Sequence, residues 1–72
     1  MLRVRPADLL AAATTERARR TADLAAARQA EQRTIADGGS PGDSYWHARH
    51  RAEQTLLAAT RLEAAIAEAM AG

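Results

Sequence analysis

The sequence predicts an all-α fold, an antiparallel two-helix hairpin with coiled-coil-like packing, on three observations. Two long stretches of strong helix formers contain no internal Gly or Pro. A single cluster of breakers, Asp37-Gly38-Gly39-Ser40-Pro41-Gly42-Asp43, separates them, and apolar residues recur in both at spacings of three and four. The expected elements are a helix over about 6–36, a loop over 37–43 and a helix over about 43–70, with 1–72 forming one domain.

The first helix is expected to open at Pro6, whose missing N–H would be unpaired in a first turn anyway, with Asp8 placed where a carboxylate favours the positive helix end. Asp37-Gly38-Gly39 ends it, because Gly readily takes the left-handed conformation of a helix C-cap. Two N-caps are available for the second helix: Ser40, with Asp43 reaching back, or Asp43 itself, which is preferred. Helices joined by so short a loop lie antiparallel.

The second helix carries the clearer stripe, Tyr45, Ala48, Ala52, Thr55, Ala59, Leu62, Ile66 and Ala69, widened by Leu56 and Met70. The comparable series in the first is Ala7, Ala11, Thr14, Ala18, Thr21, Ala25, Arg28, Gln32 and Ile35, flanked by Leu10 and Leu24. Folding the chain about Ser40 brings Leu10 near Met70, Leu24 near Leu56 and Ile35 near Tyr45, and sets Arg17 against Glu63 and Glu31 against Arg49. Exposed ion pairs of this kind add about 0–1 kcal/mol each but help to fix register.

Composition makes the core thin. Of 72 residues 47% are apolar, yet most of these are Ala, with no Phe, one Trp and one Tyr. The large side chains available are Leu2, Val4, Leu9, Leu10, Leu24, Ile35, Tyr45, Trp46, Leu56, Leu57, Leu62, Ile66 and Met70. Roughly 25 cal/mol per Å² of buried apolar area, set against roughly 1.5 kcal/mol of ordering entropy per residue, leaves such a hairpin near zero on its own. With no Cys there is neither disulfide nor thiolate metal site to staple it. The hairpin is therefore expected to complete a four-helix or larger bundle, by oligomerisation or by docking on a larger helical protein.

A net charge of +1 supplies no strong field towards nucleic acid or an anionic membrane. No stretch approaches the ~20 apolar residues of a membrane span, and the opening Met1-Leu2-Arg3-Val4-Arg5-Pro6 lacks the pattern of a secretory signal. A cytoplasmic protein is expected. All ten basic residues are Arg, a residue suited to bidentate pairing at interfaces.

Trp46 and Leu57, eleven residues apart, share a helix face that points away from the stripe, continued by Ala64 and Ala71. With Leu9, Tyr45, Leu56 and Met70 they form the expected partner interface, Trp being a favoured anchor of such contacts. The second helix also sets His47, Arg49, His50 and Arg51 at its positive end and Glu63 and Glu68 towards its negative end, against its own macrodipole. Such charges are expected to answer others on a neighbouring helix or on a partner.

The chemistry-bearing candidates are weak. His47 and His50 stand at i, i+3 without a third good ligand, so no metal is expected. Arg17, Arg19 and Arg20, with Arg3, Arg5, Arg28 and Arg33, point in several directions among Glu16, Asp23 and Glu31, whereas nucleic acid requires one basic stripe. No hydroxyl lies in a catalytic motif, and Gly38-Gly39-Ser40-Pro41-Gly42 lacks the spacing and the Lys of a phosphate loop. Neither enzymatic activity, a cofactor nor a small-molecule substrate is expected. The expected function is non-enzymatic assembly, with a small nucleic-acid-associated protein using the N-terminal arginines as the alternative.

Trp46 beside the loop and the opening Pro6-Ala7-Asp8-Leu9-Leu10-Ala11-Ala12-Ala13 resemble the Trp-Xaa-Gly hairpin proteins exported by type VII secretion. The tripeptide here is Trp46-His47-Ala48. The resemblance spans nearly the whole chain and implies an exported hairpin that works in dimers.

Overall fold

Pro6 begins the first helix, with Arg5 as an extended N-cap and the Leu9 N–H donating to the Arg5 carbonyl at 3.0 Å. The computed structural model describes residues 3–72. It consists of α1, Pro6–Ala36, and α2, Asp43–Ala71, packed against each other as a helical hairpin. Among the described residues there is no strand. Leu2, counted above in the core supply, lies outside them.

The end of α1 is a tight double-bonded cap. Gly38 takes φ 82°, a conformation that an L side chain rarely adopts, so the chain can turn back on itself. The Gly38 N–H then donates to the Ile35 carbonyl at 3.0 Å and the Gly39 N–H to the Thr34 carbonyl at 2.9 Å, the pairing of a Schellman motif. A β-carbon on Gly39 would meet the Thr34 carbonyl oxygen at 3.1 Å, so Gly38 is required by its backbone conformation and a side chain at Gly39 would crowd the turn.

The start of α2 differs from the expectation. Gly42, extended at ψ 177°, occupies the N-cap, and Asp43 is the first helical residue. No side chain caps this end. The backbone of Gly42, φ −77° and ψ 177°, is ordinary extended chain, and Asp43 sets its carboxylate within the first turn, where the helix dipole favours it.

The buried stripe of α1 is shifted by one position from the expected one, whereas that of α2 keeps Tyr45, Ala52, Thr55, Leu56, Ala59 and Ile66. On α1 the buried and half-buried positions are Leu10, Ala13, Arg17, Arg20, Leu24, Ala27, Glu31 and Thr34, with Glu16 beside them. Those of the expected α1 stripe, from Ala7 to Ile35, are all exposed. On α2 the positions are Tyr45, Arg49, Ala52, Leu56, Ala59, Glu63 and Ile66, flanked by Glu53 and Thr55, whereas Ala48, Leu62 and Ala69 face outward. The physical reason is that charged residues line this seam. Arg and Glu carry long apolar stems and can sit between helices when their heads meet, so a stripe traced through small and apolar side chains alone lands one position away.

Among the described residues only Ala13, Leu24 and Ala59 are buried, and no side chain is fully enclosed. The molecule is a rod of 54 × 20 × 18 Å with a radius of gyration of 16.5 Å, against about 11 Å for a globular chain of this length. Leu24, 7% exposed, is the one large residue in the core. Leu24→Ala is therefore expected to cost about 2–3 kcal/mol and to unfold the isolated chain in a thermal melt followed by circular dichroism. Ile35→Ala, at a position 53% exposed, is expected to cost less than about 1 kcal/mol.

Candidate interaction surface

Two ion pairs of opposite sense join the helices. Arg17 Nε donates to Glu63 Oε1 at 2.6 Å, and Arg49 Nε donates to Glu31 Oε2 at 3.2 Å. Both match the register obtained by folding the chain about Ser40. Between them Leu24 and Leu56 line one cleft with Leu57 and Thr60. Arg49 also reaches Glu53 at 3.5 Å, and Arg20 lies between Glu16 at 2.8 Å and Asp23 at 3.5 Å. The Arg49 and Glu63 charges, set against the macrodipole of α2, are thus answered by α1.

Glu63 meets two donors of α1. A hydrogen bond from the Thr14 hydroxyl, and after it the one from Arg17, hold its carboxyl below the ordinary glutamate range. Partial loss of water opposes them, and the Arg17 charge adds to the lowering.

The apolar residues left outside form two patches. Trp46 is 50% exposed and Leu57 41%. The Trp46 indole stacks on the His50 imidazole at 4.9 Å and 7°, and meets the edge of His47 at 5.1 Å and 82°. Leu57 rims an open cleft of 440 Å³ whose floor includes Leu24 and Leu56. At the open end of the hairpin Val4, Pro6, Leu9, Ile66, Ala69 and Met70 line a second cleft of 410 Å³.

Of the residues expected at a partner interface, Trp46, Leu57, Leu9 and Met70 are exposed, the last two sharing the open-end cleft. Tyr45 and Leu56 are half-buried in the seam, although Leu56 is reached from outside through the cleft it shares with Leu57. Reasoning from sequence missed Leu62 and Ile35 as surface residues, having placed both in the stripes. The signal was available: once Arg17 and Glu63 set the frame, Leu62, one position before Glu63, falls outside it.

The histidines and arginines are differently placed. Both imidazoles lie against Trp46, and the described residues hold no cluster of three or more His, Cys, Asp or Glu suited to a metal ion. Arg17, Arg19, Arg20 and Arg49 each lie within 4.0 Å of a carboxylate. Among the described residues no helix is long and apolar enough to cross a membrane. No protein-family model matches the chain, and no significant match was found among curated proteins or solved structures.

A carboxyl whose folded pKa is depressed adds stability that is present above its unfolded value and is lost as pH falls through the folded one. Acidification below about pH 4 is therefore expected to lower the melting temperature, as protonation releases Glu63 from Thr14 and Arg17. Glu63→Gln should be less stable at neutral pH and show a flatter acid limb. Thermal melts of both chains from about pH 7 down to about pH 2, a span that brackets ordinary carboxylate titration, measure the difference.

Proposed function

We propose that this protein is a non-enzymatic assembly element, a hairpin that completes a helical bundle by packing its exposed apolar side against another helical chain. The observation that carries this reading is the inversion of its apolar residues. Two of the three buried positions are alanines, while Val4, Leu9, Ile35, Trp46, Leu57, Leu62 and Met70 are all exposed. A hairpin built this way has little burial with which to offset the entropy of ordering its helices, and a second pair of helices supplies what is missing. Trp46, stacked and thereby restrained, has the character of an interface anchor.

The alternative reading, attachment to nucleic acid through the N-terminal arginines, finds less support, because Arg17, Arg19 and Arg20 are engaged with Glu16, Asp23 and Glu63 rather than arrayed along one stripe. Salt separates the two readings. Phosphate attachment weakens steeply as salt rises, whereas an apolar helical interface does not.

Sedimentation and thermal melting of the isolated chain over a wide concentration range test the assembly reading. The expected result is a dimer or larger species whose melting temperature rises with concentration, since association stabilises the folded state by mass action. Joint replacement of Trp46 and Leu57 by Ser should shift the chain towards monomer and remove that dependence. A well-folded monomer at every concentration would leave a heterologous partner as the only support for the exposed face.

A further inference from the structure

The exposed face beside the seam is a wedge. At the loop end it is bulky, with Trp46, its stacked partner His50, Ile35, Gln32 and Arg28. Towards the open end it falls away to Ala7, Ala11 and Ala18 on α1 and to Ala64, Ala67 and Ala71 on α2, all exposed. Leu57 stands midway: Trp46 is eleven residues before it and Glu68 eleven after, about 16 Å along the axis in each direction. A wedge fills space against a copy of itself only when the thick end of one meets the thin end of the other.

We infer that two copies of this chain pair through this face head to tail, about a two-fold axis perpendicular to the helices and passing beside Leu57. This rests on the assembly reading above and commits it to a second copy as the occupant. In that arrangement α2 packs antiparallel on the partner copy's α2. The Trp46 indole enters the hole bounded by Ala64, Ala67, Glu68 and Ala71 of the other copy, four positions at i, i+3, i+4 and i+7 that frame one knob. On α1 the same operation sets Ile35 over the alanines around Ala11 of the other copy.

Charge agrees with shape. Among the described residues Glu68 has no ion-pair partner within the chain, and it lies against its own helix dipole near the C-terminal end. Head-to-tail pairing brings its carboxylate beside His47 and the Trp46–His50 stack of the second copy, where imidazole and indole N–H groups can donate to it. The opposite pairing, loop end on loop end, crowds Trp46 against Ile35 and Gln32, leaves the alanine ends apart and gives Glu68 no such partner.

The absence of Cys permits a test on the full chain without background. Leu57→Cys places a thiol beside the proposed two-fold axis, and Asp43→Cys places one at the loop end of the same face. Each chain is treated with a short bis-maleimide while sedimentation of the untreated wild type reports its association state. The expected result is a wild-type dimer, a covalent dimer as the main product from Leu57→Cys, and none from Asp43→Cys. A dimer in which Asp43→Cys cross-links, or neither does, overturns the head-to-tail pairing while leaving assembly intact. A monomer throughout overturns self-pairing itself and leaves the assembly reading to a heterologous partner. Glu68→Lys provides a second readout, a loss of at least tenfold in dimer affinity (about 1.4 kcal/mol) with unchanged helicity of the monomer.

Discussion

The register between the two helices is the constraint on which the rest of this structure depends. Alanines populate so much of the seam that apolar packing alone separates neighbouring alignments poorly: after a slip of one heptad Ala59 would meet Ala27 in one direction and Ala13 in the other. The two ion pairs discriminate. A slip of one heptad sets Leu24 against Glu63 or against Arg49 and leaves that charge without its partner, and a slip of two sets Arg17 against Arg49 in one direction and Glu31 against Glu63 in the other. Each pair adds little to absolute stability, but the alternatives are penalised by like charges held between two helices. Placing Arg on α1 at one rung and Glu on α1 at the other makes the correct alignment the one in which every seam charge is answered.

Because those charges occupy seam positions, large apolar residues are displaced from it. Leu57 and Leu62, each one position from a seam residue, turn outward, and small and ionic groups share the seam with Leu10, Leu24, Tyr45, Leu56 and Ile66. The same sequence choice thus produces a narrow rod with well-defined alignment and a surface rich in unpartnered Trp, Leu, Ile and Met. Specific alignment within the hairpin and an apolar exterior suited to association are two results of one distribution of residues.

The hairpin was legible in the sequence because its determinants are local: Pro6, the glycines after Asp37 and the uninterrupted helix formers act through the backbone of their own segment. The cross-helix pairs were legible too, since the short loop leaves few ways to fold one stretch onto the other. The seam was misplaced by one position on α1, while on α2 the expected stripe held except at Ala48, Leu62 and Ala69. A stripe traced through Ala, Thr and Leu does not count Arg17, Arg49 and Glu63 as interior residues, and in an Ala-rich helix almost any face looks apolar. That error carried Leu62 and Ile35 inside and left the width of the exposed face unseen. The N-cap of α2 was missed by one position: Asp43 has the better capping side chain, yet it stands as the first helical residue, with its carboxylate in the first turn.

The two rungs also differ in how far apart along the chain their partners lie, 18 residues for Glu31 and Arg49 and 46 for Arg17 and Glu63. Closing the longer loop costs about 0.8 kcal/mol more in chain entropy if nothing nearer has formed. With the Schellman turn at Gly38 already bending the chain, the shorter loop closes first, and each rung then shortens the loop left for the next. The hairpin accordingly assembles as a zipper running from Gly38 outward, and opens in the reverse order. Its open end, where Val4, Leu9 and Met70 lie, is the last part to close and the first to fray, so the apolar cleft there is also where the helices separate most readily.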